Sequence, residues 1–325
     1  MRFSQLTRRE FITLVGGAMV ATSPCAAQTY PSRQIELVVP FVAGGTTDTV
    51  ARLIAQRITD NWPQPAIVNN RPGGGSTIGT NLVAKAAPDG HTLLVTTIAF
   101  AINASLQKLP YDTLQDFMAV TEIATIPLML VVHPSVPVTN LKEFIALAKT
   151  QPGGLDYASS GPGTSTHLAA EMFKAMAGVN LVHVPFKGNA EVLNALLGGH
   201  VKVHFGQVAS TLQHVRNGTL RVLAVTTEER LAALPDIPTI AELGFPGYEI
   251  SSWQGVFVPA GTPKEIVAKI NGEIVRMLNM PAVRARISRE GANPIGSSPE
   301  QFAGRVKSEI TKWSKVIRDS GLTAN

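Results

Sequence analysis

The sequence predicts an α/β fold of two domains with parallel sheets and a cleft between them. Three observations carry this. Short apolar runs alternate with helical patterns, and glycine-rich turns join run to helix. The length of 325 residues, 45% of them hydrophobic, suits two cores of ~150 residues each. No low-complexity linker divides the chain, so two domains must be joined by several short crossings. Crossings are expected near residues 131–134 and near Trp253. They give one domain over 28–131 plus 253–325 and a second over 132–252.

Taken in order, residues 1–27 read as an export signal. Arg2, Arg8 and Arg9 precede the apolar stretch "FITLVGGAMVA", and "CAA" closes it with small residues. "TRREF" has twin-arginine character, the alternative being an ordinary Sec signal with an Arg-Arg pair. Cys25 is the only cysteine, so cleavage after Ala27 leaves no thiol or disulfide chemistry in the mature chain. "IELVVPF" is a buried strand, and the helix after it places Val50, Leu53, Ile54, Ile58 and Trp62 on one face. "AIVNN" repeats the theme, with "RPGGGS" as its turn and a helix from about Ser76. "HTLLVTTIAFAIN" and "PLMLVVHP" read as further strands. Strand–turn–helix units follow in "LDYASSGPGTSTHLAAEMFKAMAG", "LVHVPFKGNAEVLNALLGG" and "VKVHFGQVASTLQHVRNG". "LRVLAVTT" and "SSWQGVFVP" are strands. The last helix carries Phe302, Val306, Ile310, Trp313 and Ile317 at core spacing.

Composition and motifs exclude several functions. The net charge of +5 is dispersed, with no basic run interleaved with aromatics, so nucleic acid is not an expected partner. The apolar runs after the N-terminus are too short to span a bilayer. "GGTTD" lacks the Lys-Ser/Thr of a P-loop, "GGGSTIG" departs from the dinucleotide fingerprint, and "GTSTH" is no nucleophile elbow. His183, His200 and His204 lack acidic partners at metal spacing, and His167 reads as a packing or capping residue. Neither cofactor nor catalytic residue is expected.

The turns can hold an anion. Glycines let the backbone approach closely, and helix N-termini favour negative charge. The turn "PFVAGGTTD" adds Thr46 and Thr47, with Asp48 expected to cap the helix by accepting backbone amides. "SSGPGTSTH" has the same design, "PFKGN" adds a lysine, and "NRPGGGSTIG" is a further candidate. Phe41, Phe100, Phe186 and Phe205 lie at or near strand ends, in the core or facing the cleft; two in the cleft would favour an aromatic or partly apolar acid.

Seven motifs in order, among them "VPFVAGGTTDTVAR", "NNRPGGGSTIG", "ASSGPGTSTHLAAEMF", "VHVPFKG" and "LRVLAVTTEERLAALPDIPTIAELGFPGYE", resemble the Bug-type solute receptors of tripartite tricarboxylate transporters from about Tyr30 onward. The resemblance implies a two-domain periplasmic binding protein of type II, the Venus-flytrap kind. It implies capture of a small dicarboxylate, tricarboxylate or aromatic acid in the cleft, delivery to membrane permease subunits, a periplasmic location and a monomer. It assigns ligand contacts to Phe41, Ala43, Gly44, Gly45, Thr46, Thr47 and Asp48, to Ser160, Gly161, Gly163, Thr164 and Ser165, and to Phe186, Lys187 and Gly188. Phe186 stands where relatives are expected to carry tyrosine. The alternatives are a receptor that signals to a membrane kinase, or an enzyme on the same fold.

Overall fold

The structure is a computed structural model that describes residues 29–231, 234–289 and 291–320. The export signal lies outside the described residues. Strand β1 (Ile35–Val39) runs parallel to β2 (Ala66–Asn70) and β3 (Thr92–Thr97), linked by helices α1 (Thr46–Asn61) and α2 (Thr77–Ala84). Val50, Ile54 and Ile58 of α1 are buried, as the spacing predicts. The run "HTLLVTTIAFAIN" is not one strand. β3 ends at Thr97, and the rest opens helix α3 (Ala99–Leu106). Phe100, Ala101, Ile102 and Asn103 are all buried, so this short helix has no polar face to betray its period.

Strand β4 (Phe117–Val132) is a single strand of 16 residues, of which only the second half was expected. Residues 117–127 pair antiparallel with β9 (Ser251–Pro259). Residues 128–132 pair antiparallel with β7 (Val203–Gln207) on one side and β8 (Arg221–Val225) on the other. β7 leads on to β5 (Leu155–Ser159) and β6 (Leu181–Pro185), all three parallel. The strands therefore run β2-β1-β3-β9-β4 in one half and β6-β5-β7-β4-β8 in the other. Each half sets three parallel strands in the order second, first, third, then an antiparallel strand and one more.

Helices α4 (Leu141–Thr150), α5 (Ser165–Ala177), α6 (Asn189–Leu197) and α7 (Val208–Arg216) belong to the second half. The chain returns through β9 to α8 (Lys264–Leu278), α9 (Pro281–Arg289), the short β10 (Asn293–Pro294) and α10 (Pro299–Ser320). The two crossings are tied together. Thr226 is fully buried, and its hydroxyl lies 3.0 Å from the Leu128 carbonyl and 2.7 Å from that of Ile250.

Helix α10 packs on α3 in the first half and on α5 in the second. Its Phe302, Val306, Trp313 and Ile317 are buried, while Ile310 is half-buried. Phe302 packs directly on Gly255, where a Cβ would come within 2.1 Å of the ring. Phe100 and Phe205 are fully buried core residues, whereas Phe41 and Phe186 are half-buried. Met172 is core, and Met176 is exposed.

Candidate functional site

Parallel pairing puts the carboxyl ends of β1, β2 and β3 on one side of the first sheet, and those of β5, β6 and β7 on one side of the second. Ligands of open α/β sheets bind at such ends. The two sets of loops meet: a Cβ on Gly163 would lie 2.7 Å from Leu106 Cδ2 and 3.8 Å from Asn103 Oδ1. Asn103 also donates to the Gly75 carbonyl at 2.6 Å.

The first loop leads into α1. Gly45 is the N-cap residue and supplies no side-chain cap, so the amides of Thr46, Thr47 and Asp48 lack an acceptor within the helix. Gly44 has φ +85° and Ala43 is exposed. Gln254, buried on β9, donates its amide to Thr46 Oγ1 at 3.2 Å and Thr47 Oγ1 at 3.4 Å. Both threonines then keep their own protons to donate. Asp48 does accept a backbone amide, but from Gly44 ahead of the helix (2.9 Å) rather than from the first turn. Its carboxylate also accepts from Arg52 Nε (3.0 Å) and Asn70 Nδ2 (3.0 Å). Burial pushes this carboxyl up, yet these donors outweigh it and hold it below the usual aspartate value. Asp48 is thus a charged but neutralised brace, with Asn70 also donating to the Phe41 carbonyl.

The second loop leads into α5, with Thr164 as N-cap and again no side-chain cap. Its glycine amides are committed inside the loop. Gly161 donates to Ser159 Oγ (3.1 Å) and Gly163 to His167 Nδ1 (3.1 Å). Ser160 donates its amide to Thr166 Oγ1, and Thr164 Oγ1 donates to the Gly161 carbonyl at 2.7 Å. Gly161 and Gly163 therefore shape the loop, at φ +125° and +72°. The donors left for a ligand are the first-turn amides of Ser165, Thr166 and His167 and the uncommitted hydroxyl of Ser165. Behind them Tyr157, His183 and His167 form a stack with centroid spacings of 5.0 and 4.1 Å.

The other two loops are less open. The β2–α2 turn is pinned to α3 through Asn103 and Gln107, and Ser76 there has φ +84°. The β6–α6 turn keeps Glu191 in the first helical turn, where it accepts the Lys187 amide. Gly188 is the N-cap, Phe186 is half-buried, and the exposed Lys187 ammonium has no partner among the described residues. By contrast α4 has a side-chain cap, Asn140 accepting from the Glu143 amide and Glu143 from that of Thr139. Sequence reading missed Gln254, Asn103 and Asn70. The first two leave one signal, a lone amide side chain inside an otherwise buried apolar run.

Nucleophilic chemistry finds little support. Ser159 lies 2.6 Å from His183 Nε2, but Ser159 is fully buried and its oxygen already accepts the Gly161 amide. Among the described residues no group of three or more His, Cys, Asp or Glu could hold a metal ion, and no helix is long and apolar enough to cross a membrane.

Two sheets of this strand order, joined by two crossings, define a two-domain periplasmic-binding-protein fold. The chain belongs to the tripartite tricarboxylate transporter receptor family, whose model matches residues 50–322. It is 36% identical to Protein BugT of Bordetella pertussis over 312 residues, 94% of this chain and 96% of that protein. Among solved structures it resembles R. palustris Rpa4515 with adipate (38% identity, TM-score 0.81, covering 90% of this chain and 99% of the other). It also resembles MatC (Rpa3494) from Rhodopseudomonas palustris with bound malate (34%, TM-score 0.78, 89% and 100%). The fold class expected from the sequence is the one found.

Proposed function

We propose that this receptor captures a small carboxylate between its two halves, outside the cytoplasm, and hands it to a tripartite tricarboxylate-type permease without chemical change. The observation that carries the reading is the pair of uncapped helix ends. α1 and α5 come from opposite sheets, and each offers free first-turn amides beside a free hydroxyl. Amides with a helix dipole behind them bind a carboxylate without a cationic side chain. The ligand contacts are then Thr46, Thr47, the Asp48 amide, Ser165 and the amides of Thr166 and His167. Gly45, Gly161 and Gly163 give access and shape. Lys187 and Phe186 stand at the mouth, toward the part of the acid away from the gripped carboxylate. The acids carried by the two related structures support the ligand class. The change of partners along β4 falls between Pro127 and Leu128, which supports a division close to 28–131 plus 253–325 and 132–252.

Calorimetric titration with adipate, malate and citrate, and with a diamine as control, tests the reading. Saturable one-to-one binding of at least one acid, with none of the diamine and no conversion by NMR, is expected. No binding of any acid, or multiple-turnover conversion, would overturn it.

A further inference from the structure

We infer that His167 is the positioning residue of the β5–α5 loop and that it makes ligand affinity depend on pH. This rests on the receptor reading above. The Gly163 amide donates to His167 Nδ1, a bond that needs a bare lone pair on that nitrogen. His167 is buried and held flat against His183, with an angle of 13° between the rings. His183 in turn meets Ser159, which accepts the Gly161 amide. The two imidazoles thus fix the amides on either side of Pro162, one residue before the helix end that faces the ligand. The backbone amide of His167 is itself one of the free first-turn donors.

Protonation at Nδ1 would set two donors against each other, and the Gly163 amide must then turn away. The titratable and charged groups facing His167 are Glu171 and Lys174 on its own helix, Tyr157 on β5 and His183 on β6. Glu171 is held by Lys174 at 2.8 Å and by the Tyr157 hydroxyl at 2.6 Å. Burial, and then the neighbouring His183, bring His167 down to about 4. The loop-holding neutral form therefore prevails above that value, and affinity is lost as pH falls through it.

Two variants separate acceptor from packing. His167→Asn keeps an acceptor near the Nδ1 position and does not titrate; His167→Phe keeps the stack and has no acceptor. The first readout is the Gly163 amide by NMR on glycine-labelled protein. Its shift should titrate near pH 4 in the wild type and stay fixed in His167→Asn, and its exchange should quicken in His167→Phe. The second is adipate affinity between about pH 4 and pH 7, near the ordinary carboxylate and histidine values. At neutral pH His167→Phe should bind about tenfold more weakly, a loss equal to about one hydrogen bond. His167→Asn should lose less of its neutral-pH affinity at the acid end than the wild type loses of its own, a comparison that cancels adipate's own titration. A Gly163 amide that does not titrate in the wild type, or equal affinities of all three proteins at every pH, would overturn the inference. A wild type that ignores adipate would count against that ligand, while the Gly163 measurements still decide the role of His167.

Discussion

Replacing Asp48 by asparagine separates the two roles this residue could have. Asp48 is buried, and its oxygens accept from Gly44 N, Arg52 Nε and Asn70 Nδ2 at 2.9–3.0 Å. Asparagine keeps one acceptor and turns the other into a donor. If the retained oxygen stays on Gly44, the new amide group faces the Asn70 amide, which is itself committed to the Phe41 carbonyl. The Asn70 bond is lost, at about 1–2 kcal/mol, and the Gly44 bond loses its charge, at about 1 kcal/mol. The Arg52 pair adds a few tenths, because that guanidinium is mostly in solvent. The total is about 2–3 kcal/mol, or roughly 4–12 °C in melting temperature for a domain of this size. The carboxyl sits below its ordinary value, so its contribution is present above pH ~3.9 and lost as pH falls through its folded value. The difference in melting between wild type and variant should therefore shrink in acid. Scanning calorimetry gives the melting temperatures, and titration with adipate gives the affinities. Unchanged melting together with a large loss of affinity would refute the bracing role and make Asp48 a ligand contact.

Thr47→Val should weaken adipate binding by roughly ten- to a hundredfold, the worth of one hydrogen bond to a charged group, with little change in melting. Wild-type affinity on titration would mean that this hydroxyl does not face the ligand. Gly255→Ala should cost about 1–3 kcal/mol, because Phe302 is hemmed in by Trp253 and Phe257 at centroid distances of 5.2 and 4.9 Å. Phe302→Leu should recover part of this in urea unfolding, and simple additivity of the two changes would refute the packing account. His204 is buried and brought down to about 4 by burial, so the unfolded chain binds its proton more readily. Stability should fall between about pH 6.5 and pH 4, by up to about 3 kcal/mol from this residue, and His204→Asn should flatten that part of the pH–stability curve measured in urea.

The strand–turn–helix units were legible because β1 is a short apolar run, α1 carries its apolar residues on one face, and glycine-rich turns stand between strand and helix after β1 and β5. α3 was not, because burial on all sides removes the pattern that marks a helix. The first half of β4 was hidden by Thr121 and Glu122, polar residues whose partners lie far along the chain. Glu122 pairs with Arg305 at 2.9 Å, and Thr121 donates to the Ser297 carbonyl. The glycine loops could be found by composition, but not which of their amides remain free. That depends on Ser159, His167 and His183, which meet only once β5 and β6 lie side by side. Gln254 lies 207 residues beyond Thr47 and could not be assigned to the threonines from the sequence.

Thr226 sits where both strand crossings pass, and Pro127, the last β4 residue paired with β9, has no N–H to give to a ladder. β4 can twist at that point without breaking a bond of its own at Pro127, while the threonine obliges the other crossing to twist with it. The two segments would then turn together, as one axle, in any movement of one half against the other. On the proposed reading, such coupling lowers the free energy that binding has to spend on arranging the ends of α1 and α5.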